Sequence, residues 1–175
     1  MRNLSLLTLA AGALFAASAS ASAADSQIER GKYLVTIGGC NDCHTPGYFL
    51  GKPDFSRTLG GSDVGFTIPG LGAFVAPNLT PDKETGLGNW TSEQIVAAFT
   101  TGVRPDGRKL APIMPYNGFS HLTADDAQAI VAYLRSLPLV KNAVPGPFGP
   151  KEVPSTLVFV IVPGVVYSKM PQPPQ

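Results

Sequence analysis

The sequence predicts an all-α fold: a small helical domain wrapped around a bound group, with long glycine- and proline-rich loops between its helices. Three observations predict it. Three segments carry helical start and stop signals, the chain between them is dense in turn-forming residues interleaved with apolar ones, and a paired-cysteine motif follows the first helix directly.

The first helix is expected over Ser26 to Thr36, with Asp25-Ser26 as its N-cap and Ile28, Leu34 and Val35 on roughly one face. Gly31 sits inside it, where glycine costs about 1 kcal/mol relative to alanine. A close helix crossing explains that choice, and simple tolerance is the alternative.

Residues 45–90 are rich in glycine and proline, yet Phe49, Phe55, Phe66 and Phe74 are spread among them. A disordered linker would lack such aromatics, so the stretch reads as a structured loop able to line a pocket. The pattern also admits short strands at Gly65 to Ile68 and Ala73 to Val75, turning at Pro69-Gly70.

The second helix opens on Thr91-Ser92-Glu93-Gln94, a capping box, carries Ile95, Val96, Ala98 and Phe99, and ends at Gly102. Trp90 stands at its entrance. The third runs from Thr123 through Ser136, capped from Thr123 to Asp126, carried by Ala127, Ile130, Val131 and Leu134, and stopped before Pro138. Beyond it the chain turns proline-rich, and Leu157 to Tyr167 is a short apolar run broken by Pro163-Gly164. That run is too short to span a bilayer. A strand-like tail packed on the domain or on a partner subunit fits it best, with a surface-adsorbed segment as the lesser alternative.

Arg2, the apolar run Leu4 to Ala17 and the small residues Ala21-Ser22-Ala23 form the pattern of a cleaved secretory signal over residues 1–23. The run is shorter than the ~20 residues a membrane span needs, so an uncleaved anchor is the lesser reading and the mature chain carries no span. Removing it from the 175 residues leaves 152, divided into a domain at 24–140 and a proline-rich extension at 141–175. Only Arg2 is lost from the charge balance, which leaves 12 basic and 12 acidic side chains. No overall basic field attracts nucleic acid.

Cys40-Asn41-Asp42-Cys43-His44 is the attachment pattern for c-type haem. Two thiols at this spacing reach two vinyl groups on one porphyrin edge, and the next imidazole is then held at the iron. A thioredoxin-like dithiol or half a zinc site are the alternatives. The chain has only these two cysteines, and His121 is its only other histidine, so a zinc site lacks ligands. Val35-Thr36-Ile37-Gly38-Gly39 is a poor buried strand for a thioredoxin motif. Export suits the haem reading, because this haem is attached outside the cytoplasm.

With His44 on one side of the iron, Met114, Met170 and His121 are the candidates for the other. Met114 is favoured because Pro112-Ile113-Met114-Pro115-Tyr116 is a rigid loop that presents the sulfur; a core-filling methionine is its alternative. His/Met ligation closes the iron and raises its potential relative to two histidines, which favours electron transfer. His44 should donate its free ring N–H to a carbonyl, with Pro46 and Pro53 among the candidates. Trp90, Arg104 and Arg108 are candidate contacts for the haem propionates, although a lone tryptophan is commonly core and an Arg-Pro-Asp-Gly-Arg turn commonly just solvated.

On these residues the chain resembles the class I cytochromes c over roughly residues 27–138: Cys-x-x-Cys-His after an N-terminal helix, a Met-Pro-Tyr loop, and a last helix ending in Ala132-Tyr133-Leu134. In that family a glycine of the first helix packs on an aromatic of the last, and Gly31 with Tyr133 matches the pattern. Ala76-Pro77-Asn78-Leu79-Thr80-Pro81-Asp82, Glu84-Thr85-Gly86-Leu87-Gly88 and Gly102-Val103-Arg104-Pro105-Asp106-Gly107 are similar to haem modules of cytochrome subunits serving bacterial periplasmic alcohol, aldehyde and gluconate-type dehydrogenases. Those subunits commonly carry three modules. Here there is one motif and no internal repeat, so a triple-haem relay and membrane anchoring do not carry over.

The resemblance implies one covalent haem c in an exported, periplasmic protein of a Gram-negative-type bacterium. It implies an electron-transfer protein rather than an enzyme, taking single electrons from a periplasmic or membrane-bound dehydrogenase to a downstream oxidase or another cytochrome of the respiratory chain. Two other readings stand beside it: a haem enzyme or sensor with an open sixth iron position, which follows if Met114 is not a ligand, and a dithiol or metal protein without haem.

Overall fold

The computed structural model describes residues 24–171, so the expected signal segment lies outside the described residues. Among the described residues, six α-helices, α1 (24–37), α2 (Cys40–His44), α3 (Ser92–Thr101), α4 (Tyr116–Phe119), α5 (Ala124–Ser136) and α6 (Gly164–Tyr167), accompany three strands, β1 (Val64–Ile68), β2 (Gly72–Val75) and β3 (Leu157–Phe159). The fold is therefore mixed α/β and not all-α.

The sheet overturns the all-α expectation for a physical reason. β1 and β2 form an antiparallel hairpin in which Phe66 faces Phe74, closed through Pro69-Gly70 with Gly70 at φ 79°. β3 then arrives from far along the chain and pairs with β1 in parallel, Phe66 opposite Phe159, giving the order β2-β1-β3. Strands this short carry little periodicity, and a parallel pairing of distant residues leaves no local signature. Aromatic contacts hold it: Phe66 and Phe159 stack with centroids 5.5 Å apart, and Phe49 meets each edge-on at 5.2 Å.

Local capping chemistry sets the two longer helices that follow the β1–β2 hairpin. At the start of α3 the Thr91 hydroxyl accepts from Gln94 N–H at 3.2 Å, and the Thr91 N–H donates back to Gln94 Oε1 at 2.9 Å. The helix ends at Gly102, where φ is 73° and an added β-carbon would meet the Tyr116 ring at 2.9 Å. At α5 the Thr123 hydroxyl accepts from Asp126 N–H at 3.1 Å, and Leu137, before Pro138, is extended.

The core gathers Leu34 and Val35 of α1, Leu59 and Leu87 of the loops, Ile95 of α3, and Ala129, Ile130, Val131 and Leu134 of α5. Each large apolar side chain buried this way contributes about 1.5–3 kcal/mol. Gly31 brings α1 and α5 into contact there. No helix among the described residues is long and apolar enough to cross a membrane.

Candidate functional site

One cavity of about 480 Å³ opens between α3, α5, the 74–90 loop and the 108–115 loop, and its wall is mostly apolar. That volume lies within the ~300–1,000 Å³ of typical cofactor sites. Cys40, Cys43, His44, Trp90, Arg104, Arg108 and Met114 all line it, whereas His121 and Met170 do not. Seven side chains from four stretches of sequence thus face one space.

The thiols sit on α2, a single helical turn that begins after Gly39, whose φ of 67° suits the reversal out of α1. Both are free and half-buried. Burial pushes the Cys40 thiol up to about 11 and raises that of Cys43 as well. A redox dithiol needs a thiolate at lowered pKa, so this environment disfavours the thioredoxin alternative.

His44 is only 6% exposed. Its Nδ1 lies 2.7 Å from the Pro77 carbonyl oxygen, and that carbonyl can only accept, so Nδ1 carries the proton and donates. Burial lowers the imidazole pKa, keeping the ring neutral with an Nε2 lone pair free to bind a metal. The acceptor is neither Pro46 nor Pro53. The Pro46 carbonyl instead takes the Asp54 N–H at 2.9 Å. Nothing local in the sequence marks Pro77, because it is brought to His44 by a loop that returns after the hairpin.

Met114 follows a turn in which its N–H donates to the Ala111 carbonyl at 3.0 Å, and the Tyr116 N–H donates to the Met114 carbonyl at 2.8 Å. The Arg104 guanidinium lies over the Trp90 ring, 4.9 Å from its centroid. Asp106 lies between Arg104, at 3.6 Å, and Arg108, at 3.5 Å. Among the described residues, Arg104 Nε, the atom of that 3.6 Å ion pair with Asp106, is the one buried side-chain nitrogen or oxygen without a hydrogen bond. An anionic group entering the cavity would supply a hydrogen-bond acceptor there, so the donor set fits a haem with carboxylates: two thiols, a neutral imidazole, a thioether and a partly buried guanidinium.

Sequence reasoning missed part of the wall. Ala143 to Pro147, from the proline-rich stretch after α5, close one side of the cavity, and Asn78 stands in it almost fully buried. A buried asparagine has no sequence signature beyond its neighbours.

Residues 28–138 match the family described as Cytochrome c. The chain is 36% identical over 134 residues to the fructose dehydrogenase cytochrome subunit of Gluconobacter japonicus, covering 73% of this chain and 26% of that subunit. It is 35% identical over 119 residues to the cytochrome c subunit of the quinone alcohol dehydrogenase of Gluconobacter oxydans, covering 68% and 23%. Against the gluconate 2-dehydrogenase cytochrome c subunit of Pantoea cypripedii it is 35% identical over 130 residues, covering 74% and 27%. The chain spans about a quarter of the length of these relatives. With that match lying across the helices and loops that build the cavity, the chain belongs to the cytochrome c family.

Proposed function

We propose that this chain carries single electrons through one covalent haem c, bound at Cys40 and Cys43 and ligated by His44 and Met114, between a dehydrogenase and the respiratory chain in the periplasm. The observation that carries the reading is the convergence of the two thiols, the imidazole and the Met114 loop on one apolar cavity. Family membership supports electron transfer and a covalent haem. The fructose, alcohol and gluconate dehydrogenases named for the relatives support a dehydrogenase as donor.

Haem, when bound, supplies a reversible one-electron iron couple. The chain supplies the rest. Cys40 and Cys43 fix the group covalently, and His44, oriented by Pro77, offers Nε2 as a ligand. Met114 offers a thioether, which favours the reduced state relative to a second imidazole. The apolar wall excludes water, and Arg104 and Arg108, with Trp90, form the end suited to carboxylates. No group in this set is placed to make or break a bond in a substrate.

Denaturing electrophoresis with haem staining tests the attachment. The chain purified from a host able to mature c-type cytochromes is expected to stain, and the Cys43→Ala variant to lose normal loading. An unstained parent chain, or full loading without Cys43, overturns the reading.

A further inference from the structure

The Pro77 ring fixes its own φ, but the carbonyl that orients His44 belongs to the peptide joining Pro77 to Asn78, whose plane turns on Pro77 ψ and Asn78 φ, so the ring alone does not fix it. Its neighbours must do so. Upstream, the Ala76 carbonyl accepts from Ser62 N–H at 2.9 Å; downstream, Leu79 N–H donates to the Leu59 carbonyl at 2.9 Å. Between them stands Asn78, 1% exposed in a mostly apolar wall.

The Asn78 side chain uses its full hydrogen-bonding capacity. Its amide donates to the Val140 carbonyl at 2.6 Å and to the Thr85 hydroxyl at 3.0 Å. Its Oδ1 accepts from the Thr80 N–H at 2.9 Å and from the Thr80 hydroxyl at 2.8 Å. Thr80, itself fully buried, accepts in turn from Val140 N–H at 3.2 Å. Asn142 N–H reaches the same Thr85 hydroxyl at 3.0 Å, and the Asn142 amide donates to the Gly60 carbonyl at 2.8 Å. Gly61 N–H then donates to the His44 carbonyl at 2.8 Å. A closed circuit of buried and part-buried bonds therefore runs from residues 140–142, through Asn78 and past Pro77, to both the side chain and the backbone of His44.

We propose that Asn78 is a positioning residue for His44: it locks the Pro77 carbonyl against the imidazole Nδ1 and couples that bond to residues 140–142 beyond α5. The proposal rests on His44 being the haem ligand. A metal-bound imidazole that donates its other N–H firmly is a stronger donor to oxidised iron. Loosening the Pro77 carbonyl weakens that donation and raises the reduction potential. A buried asparagine at this place thus tunes the iron, while an apolar residue of similar size would only fill the wall.

The test compares the haem-loaded parent with Asn78→Ala, Thr80→Val and the core control Val131→Ala, which is buried in the core and does not line the cavity. Two readouts are taken: the midpoint potential, and deuterium exchange at the His44 Nδ1 proton in the reduced protein. Asn78→Ala is expected to raise the potential and speed exchange by about tenfold, the scale of one lost buried hydrogen bond. Thr80→Val is expected to shift both in the same direction by less. Val131→Ala is expected to lower thermal stability while leaving both unchanged. An unaltered potential and exchange rate in whichever of Asn78→Ala and Thr80→Val loads haem overturns the role of Asn78.

A readout on the unaltered protein needs no variant. The His44 Nδ1 proton and the Thr80 amide proton are expected to exchange with the same opening free energy, as members of one circuit. Exchange at His44 well ahead of Thr80 overturns the coupling. A parent chain without covalent haem would instead remove the reading beneath it, and the stained gel separates that failure from this one.

Discussion

Gly31 lies against Tyr133 where α1 crosses α5: a β-carbon built on Gly31 would stand 2.8 Å from Tyr133 Cβ and would overlap the Ala129 carbonyl. Helix propensity favours alanine at this position by about 1 kcal/mol. Overpacking opposes it by about 1–3 kcal/mol, and the obstacle here is backbone, which cannot swing aside. Gly31→Ala is therefore expected to lose up to about 2 kcal/mol in chemical denaturation of the haem-loaded protein. A raised midpoint would show that the helices part freely.

Arg30 and Asp126 clamp the same crossing from outside, with Nε to Oδ1 at 2.8 Å and Nη2 to Oδ2 at 3.2 Å. The guanidinium's hydrogen bonds hold the Asp126 carboxyl below its usual range. A folded-state pKa that is depressed adds stability at and above the ordinary carboxylate pKa, and that gain is lost as pH falls through the folded value. The stability gap between the parent and Asp126→Asn is thus expected to stay constant near neutrality and to shrink below pH ~4. Urea midpoints at pH 7 and pH 3 measure it, and a gap that widens in acid contradicts the clamp.

Phe159 joins the sheet to the loop through Phe49 and Phe66. Aromatic pairs of this kind are worth about 0.5–1.5 kcal/mol each beyond their burial. Phe159→Ala is expected to cost about 1–2 kcal/mol and to expose the chain after residue 150 to limited proteolysis, with helix content kept. Unchanged proteolysis would mean that β3 adds nothing to the domain.

How legible each part was follows from the range of the forces that shape it. α3 and α5 could be read from Thr91, Gln94, Gly102 and Thr123, because a cap acts within one turn. The paired-cysteine motif could be singled out because its five residues are contiguous, and Met114 because prolines on both sides of its turn mark a rigid loop; both line the cavity. The parallel pairing of Phe66 with Phe159 could not, since the partners are remote in sequence and the strands are short. Pro77 and Asn78 were named within a stretch similar to haem modules, but their contacts were hidden for the same reason: their partners His44 and Val140 approach only after the loop has folded. Trp90, Arg104 and Arg108 were legible as candidates but not as an arrangement, because the placement of Arg104 over Trp90 and its pairing with Asp106 exist only in three dimensions.

Met114 is the cavity-lining member of the three sixth-ligand candidates. Met114→Ala is expected to open the iron, lower the midpoint potential, and let the reduced protein bind carbon monoxide quickly. An unchanged spectrum and potential would return the assignment to His121 or Met170.

Spectroelectrochemical titration of the purified haem-loaded protein, repeated under carbon monoxide, decides whether this is a closed one-electron carrier. The expected result is a single reversible one-electron wave per chain that carbon monoxide leaves in place. A reduced form that takes up carbon monoxide rapidly and shifts the wave would contradict it, and would make the iron an open site for ligand chemistry.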